Sequence, residues 1–284
     1  MFEAAFAQQL DARAYQLVVG VWGLYWPLLL LIISLTAIER LFPLERHQPW
    51  RPWFFNLAWY ALVLAIGIVL SWTAWGEFVT WLNSLYAGKL RLPAPQGALG
   101  ELGRFMLVLL LYDFFSYWAH RMQHAVPALW VLHQFHHDER HMNAAASARA
   151  HWLNIVYLQL VVTVPLTWLL GLDSYSLTVY LVINAVQAFS HMNIRLELGR
   201  ASNWLVGPQF HRMHHARERT RYDRNFSNLL PLWDRLFGTF EAPVAGDFAP
   251  TGISGIPATD SWGKAFIQPI ADWWHMLRHW MSRA

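Results

Sequence analysis

The chain has 284 residues, of which 56% are hydrophobic, 16% aromatic and only 14% charged, with a formal net charge of +3. An ordinary soluble domain carries about 25% charged residues, so this balance argues against a soluble enzyme, while 17 Phe, 18 Trp and 10 Tyr exclude a disordered chain. Cysteine is absent, which rules out disulfides, thiolate-bound zinc and iron–sulfur clusters and leaves histidine and carboxylate to hold any metal.

Met1 to Gln16 lacks the basic start and small-residue cleavage site of a signal peptide. Leu17 to Ala37 is an apolar block long enough to cross a bilayer, closed by the charged, proline-bearing turn Glu39 to Pro43. Trp53 to Trp75 reads as a second span with tryptophans at both ends. Asn83 to Gly103 mixes Gly, Pro and polar residues and reads as an extramembrane loop. Met106 to Ala119 is a third block that runs into a polar, His-rich region, His120 to Arg149. Trp152 to Leu172 and Ser176 to Ser190 follow, with a short turn at Gly171 to Ser174, as two spans or one helical hairpin. From His191 the chain is polar and Arg-rich, and Trp262 to Trp280 reads as an interfacial tail. Five crossings would put 17 Lys and Arg on one side and 4 on the other, so the larger group, and every His cluster with it, is expected on the cytoplasmic face. The Arg residues are interleaved with apolar segments rather than gathered in a stripe, so nucleic acid is not an expected partner.

Three clusters carry the chemistry: His120-Arg-Met-Gln-His124, His133-Gln-Phe-His136-His137 and His211-Arg-Met-His214-His215, with His191 closing the last apolar block. Spacings of three and four place imidazoles on one helical face. The adjacent pair in each His-x-x-His-His diverges by about 100° around a helix, so one ring can serve a first metal and its neighbour a second. A random chain of this composition would contain that triple roughly 0.03 times. Imidazole suits Zn, Cu, Fe and Ni. Zinc needs three or four protein ligands, so nine histidines fit two ions better than one. The paired Glu-x-x-His motifs of soluble carboxylate di-iron bundles are missing. A haem held by two histidines would leave the clusters redundant.

The run from Asp113-Phe-Phe-Ser-Tyr-Trp-Ala-His120 through the three clusters to Trp233-Asp-Arg-Leu-Phe-Gly-Thr-Phe240 resembles the fatty acid hydroxylase and sterol desaturase superfamily of membrane-bound, histidine-rich di-iron oxygenases. The His-x3-His spacing of the first motif is similar to that of sterol desaturases and alkylglycerol monooxygenases. The resemblance implies metal ligands at His120, His124, His133, His136, His137, His191, His211, His214 and His215. The implied cofactor is two Fe ions with O2 as co-substrate, and the implied activity is hydroxylation or desaturation of a lipid such as a sterol, ether lipid or acyl chain. With no cytochrome b5 domain fused to the chain, the two electrons are expected from a separate ferredoxin- or cytochrome b5-type donor with its reductase. His151 sits where several sterol-modifying members have His-Pro, with Trp152 replacing the proline, and is a possible tenth ligand.

Asp113, seven residues before His120 within an apolar block, is expected to accept the distal N–H of a ligating histidine. Asp223, Asn225, Asn228 and Asp234 are expected either to orient ligands or to cap a short helix. The expected architecture is all-α: a polytopic integral membrane protein with about four to five transmembrane helices and a cytoplasmic-face helical cap holding the di-metal site, in a bacterial-type inner membrane or an ER-type membrane. Residues 1–104 form an N-terminal membrane region, 105–240 the catalytic region and 241–284 the interfacial tail. The rival reading is a metal-binding or metal-transporting membrane protein without oxygenase activity. It would place ligands along a pathway in broken spans, whereas these histidines cluster at span ends.

Overall fold

The computed structural model describes residues 2–86, 96–170 and 177–282. Among them the protein is helical, with no strand and only two isolated bridges, Pro43 with Ile194 and Ala216 with Thr251. The helices are α1 (Phe2–Leu41), α2 (Trp50–Ser71), α3 (Ala74–Tyr86), α4 (Gly97–Ala125), α5 (Pro127–His137), α6 (Trp152–Leu158), α7 (Val164–Leu170), α8 (Leu177–Ser190), α9 (Pro208–His214), α10 (Leu232–Leu236) and α11 (Trp262–Met281).

Among the described residues, three stretches are long and apolar enough to cross a membrane: Ala14–Leu41, Trp50–Ser71 and Trp152–Leu170. The third joins α6 to α7 through a π turn at Gln159–Thr163, next to Pro165, whose missing N–H interrupts the regular helical ladder. The other two expected spans fall short of this measure. Asp113, His120 and Arg121 dilute the apolar run of α4, and α8 has 14 residues, about 21 Å at 1.5 Å per residue.

Two expectations change at their boundaries. The second span ends at Ser71, where the Ser71 and Thr73 hydroxyls donate to the Ile68 and Leu70 carbonyls at 2.6 and 2.7 Å. A separate helix, α3, then begins at Ala74 and packs on α7. The loop expected over Asn83 to Gly103 is helical at both ends, up to Tyr86 and from Gly97, because an apolar setting rewards backbone groups that bond within their own helix. Residues 87–95 of that loop, and the expected turn at Gly171 to Ser174, lie outside the described residues.

The core places the histidine-bearing segments. Leu28 and Ile32 of α1, Trp53 and Leu57 of α2 and Ala188 of α8 close around Ala144 and Ala145. These belong to a buried turn, Ala144–Ala148, that Asn143 caps by accepting from the Ala145 N–H at 3.0 Å. Only small side chains admit a turn so close to three helices. The Glu39 carboxylate at the end of α1 accepts from the N–H groups of Ala144 and Asn193 at 2.8 and 2.7 Å, tying that turn to the segment after α8. Val108 and Ala119 of α4 pack with Val162, Leu166 and Ile183. Phe55, Trp59 and Val63 of α2 meet Phe135 of α5 and Ala265 of α11.

Candidate metal centre

Four segments converge. His120 and His124 lie in the last turns of α4, and His133, His136 and His137 on α5. His191 directly follows α8, and His211, His214 and His215 lie on α9 and at its end. Helices α5 and α9 are built alike: a proline with its helix-ready φ opens each, at Pro127 and Pro208, and a histidine pair closes each.

All nine sequence-expected histidines come together, in two groups. His120, His124, His133, His137 and His214 form one, and His136, His191, His211 and His215 the other. Within each group the candidate ligand nitrogens all lie within 4.8 Å of one another. Each adjacent pair is divided between the groups, with rings nearly perpendicular at 87° for His136 and His137 and 86° for His214 and His215. The groups touch where His137 stacks on His215, ring centroids 4.2 Å apart.

Hydrogen bonds fix which nitrogen is free in five of the nine rings. Nδ1 faces a backbone carbonyl in His120 (Phe226, 2.8 Å), His136 (Arg149, 2.9 Å), His191 (Gln187, 2.7 Å) and His214 (Arg224, 2.7 Å), and the Asp223 carboxylate in His124 (3.2 Å). Carbonyls and carboxylates only accept, so each Nδ1 carries the proton and each Nε2 presents a bare lone pair. His136 Nε2 and His191 Nε2 then face each other at 3.2 Å with no proton between them.

Burial, and for His136 also repulsion from His191, holds its pKa well below the ordinary value, and burial brings His191 down to about 4. Neither ring therefore supplies a second proton at neutral pH. The Nε2 atoms of His133 and His215 are buried without any partner, and burial with neighbouring imidazoles lowers both rings as well. Neutral nitrogens that converge, lack protons and lack partners fit metal cations, and imidazole is a donor for iron.

The supporting layer differs from expectation at Asp113. Its fully buried carboxylate reaches no histidine but accepts the backbone N–H groups of Asn228, Leu229 and Leu230 at 3.1, 2.9 and 3.0 Å. Asp234, also fully buried, accepts from the N–H groups of Phe226 and Ser227 at 2.7 and 2.9 Å and from the Thr239 hydroxyl at 2.7 Å. Asn225 takes the left-handed conformation (φ 58°), accepts from Glu241 N–H at 2.8 Å and donates to the Glu241 carbonyl at 3.1 Å.

Asp113, Asn225 and Asp234 thus hold one loop, and that loop supplies Asp223 and the Arg224 and Phe226 carbonyls to His124, His214 and His120. These three histidines belong to the five-membered group. In the other group, His136 and His191 lean on Arg149 and Gln187 instead.

His151 joins neither group. Its Nδ1 accepts from the Leu153 N–H at 3.2 Å, capping α6, and its Nε2 lies 3.3 Å from the Phe266 carbonyl. Arg149 carries a role that sequence reading missed. Fully buried, its guanidinium binds Asp138 at 2.5 Å, Asn56 at 2.9 Å and the carbonyls of Phe135 and Thr259 at 2.7 and 2.5 Å, which holds its own carbonyl against His136. One Arg among three in a His-rich segment gave no signal for this beyond its place two residues before His151.

Two spaces reach the histidines from different sides. One, of about 130 Å³, touches His120, His133, His136, His191 and His211. The other, of about 580 Å³, touches His124, His137 and His214 and is bounded by Arg219, Tyr222 and Asp223. A third space, of about 630 Å³ between α4, α8 and the segments carrying Leu205 and Leu229, is lined by apolar side chains throughout.

Residues 105–239 match the fatty acid hydroxylase family. The alkylglycerol monooxygenase of Homo sapiens is 37% identical over 131 residues, covering 46% of this chain and 29% of that protein. The ornithine lipid hydroxylase OlsE of Rhizobium tropici is 31% identical over 170 residues, 58% of this chain and 49% of that protein. The fatty acid hydroxylase vlmA of Lecanicillium sp is 30% identical over 145 residues, 46% and 40%. The chain spans about half or less of the length of these relatives, and no solved structure matches it.

Proposed function

We propose, from the match of residues 105–239 to the fatty acid hydroxylase family, that the protein is a membrane-bound lipid oxygenase whose nine histidines hold two iron ions, five nitrogens around one and four around the other. The observation that carries this reading is the facing Nε2 lone pairs of His136 and His191 at 3.2 Å, both Nδ1 protons being committed to carbonyls. Such a pair repels unless a cation lies between the rings. Bound iron would supply the activation of O2 that an unactivated C–H bond requires.

The protein's own contribution is placement. The loop carrying Asp223, Arg224 and Phe226 and the carbonyls of Arg149 and Gln187 keep five imidazoles in the tautomer that ligates. The apolar space between α4 and α8 offers a lipid chain a path from the bilayer. In hydroxylation, one oxygen atom enters the C–H bond and the other leaves as water with two electrons and two protons. The electrons come from a separate carrier of the ferredoxin or cytochrome b5 class. The space beside His124, His137 and His214, on the side of Arg219 and Asp223, is the approach that a polar donor would use.

The test is iron stoichiometry by elemental analysis and Mössbauer spectroscopy on detergent-purified protein, with His136→Ala and His214→Ala alongside. About two irons per chain, reduced in both variants, are expected. One ion or none in the unaltered protein, with the variants unchanged, would overturn the reading and favour a structural or transport role.

A further inference from the structure

The space next to the histidines and the apolar space beside it are chemically unlike. Twelve residues line the apolar one and every one is hydrophobic. The smaller one, which touches five of the nine histidines, has a mixed lining in which Ser116, Gln123, Asn154 and Gln187 stand beside Leu132 and Leu158. The two are neighbours: Val186 borders one and Gln187 the other, as do Leu229 and Asn228.

A hydrocarbon chain can meet the apolar part of that lining, but a remote methylene lying against Ser116, Gln123 and Asn154 would leave their polar groups buried and unsatisfied. The wall also has open hydrogen-bonding capacity. The Ser116 hydroxyl is buried with no partner. Gln123 donates to the Asn154 side-chain carbonyl at 2.7 Å, which sets the orientation of both amides and leaves an Asn154 N–H donor and the Gln123 carbonyl acceptor uncommitted. Gln123 and Asn154 are themselves buried. Arg149 borders the space, but its guanidinium is engaged by Asp138, Asn56 and two carbonyls, so the wall suits a neutral group rather than a phosphate or carboxylate.

We infer that Ser116, Gln123 and Asn154 form a subsite for a neutral hydroxyl, ether or amide group of the lipid, and that the carbon oxidised lies within about two bonds of that group, with the chain in the apolar space. This rests on the oxygenase reading for the word oxidised, but not for the binding itself.

Binding is therefore measured apart from turnover. Zinc, which is redox-inert, is loaded onto the purified protein, and radiolabelled 1-O-hexadecylglycerol is competed with hexadecan-1-ol and with hexadecane. Hexadecanol is expected to compete at least about 100-fold better than hexadecane, the discrimination open to a site built to bond a hydroxyl. Ser116→Ala and Asn154→Leu should each weaken hexadecanol about 10-fold or more while hexadecane holds or improves; an unchanged zinc content shows that both variants fold. Equal competition by hexadecane, or variants that leave the alcohol unaffected, would overturn the subsite.

In iron-loaded protein, mass spectrometry of the product should place the new oxygen within two carbons of the polar group, and insertion at a remote carbon would also overturn it. Retained selectivity with no turnover of any lipid would refute the oxygenase reading and leave the subsite standing.

Discussion

Replacing Asp234 by Asn tests how the two histidine groups are supported. The aspartate carboxylate receives the N–H groups of Phe226 and Ser227 and the Thr239 hydroxyl while fully buried. An asparagine can keep its one oxygen on Phe226 and Thr239, but its NH2 then confronts the Ser227 N–H. The loss is one hydrogen bond to a charged group, about 1.5–3 kcal/mol. About 2 kcal/mol at 1.4 per factor of ten is roughly a 30-fold change, within the range found when groups behind metal ligands are altered.

That loss falls on the loop whose Phe226 carbonyl orients His120, and whose neighbours Asp223 and Arg224 orient His124 and His214. The group of four leans on Arg149 and Gln187 and is untouched. Titration of metal-free Asp234→Asn with Co(II), followed by its visible absorption, should therefore show one of two binding phases weakened about 30-fold and the other unchanged. Equal weakening of both phases, or of neither, would refute the argument that this loop serves one group alone.

Arg149→Met leaves the Asp138 carboxylate buried without its partner, so thermal unfolding should show a loss of about 3–5 kcal/mol, part of it regained when Asp138→Asn is added. His151 is buried and neutral, its pKa brought down by burial to about 4 from 6.5. Between those values the unfolded chain binds the extra proton, so stability falls as pH drops from about 6.5 to about 4, by an upper limit of about 3 kcal/mol. His151→Asn, which keeps a capping side chain, should flatten that part of the stability profile. The chain has no cysteine, so Ser254→Cys and Ser84→Cys each introduce a single reactive thiol. A membrane-impermeant maleimide applied to intact cells should label position 84 and spare 254 if the histidine face is cytoplasmic.

The nine histidines were legible because a spacing of three and four is a helical geometry written directly in residue identity. Their gathering into five and four follows from the adjacent pairs His136-His137 and His214-His215. The layer behind them was not legible, because most of its acceptors are backbone carbonyls, those of Arg149, Gln187, Arg224 and Phe226, and a carbonyl has no letter in the sequence. Asp113 shows the boundary well. Its burial in an apolar helix announced a constrained carboxylate, but its partners lie more than 110 residues away on the backbone of 228–230, where no local pattern points. Helix α3 was hidden for another reason: Trp75 read as the end of a span, whereas the break falls at Ser71 and Thr73, whose hydroxyls bond the carbonyls of the preceding turn.

The division of each neighbouring histidine pair has a consequence for assembly. Because α5 and α9 each reach into both groups, an ion captured by one group clamps those two helices at the separation the other group requires. Much of the ordering entropy of the second capture is then spent in the first, and the same coupling acts in reverse by linkage. On the two-iron reading, the first ion captured therefore sets the geometry that the second group offers, and a change that weakens one group leaves the other to be filled first.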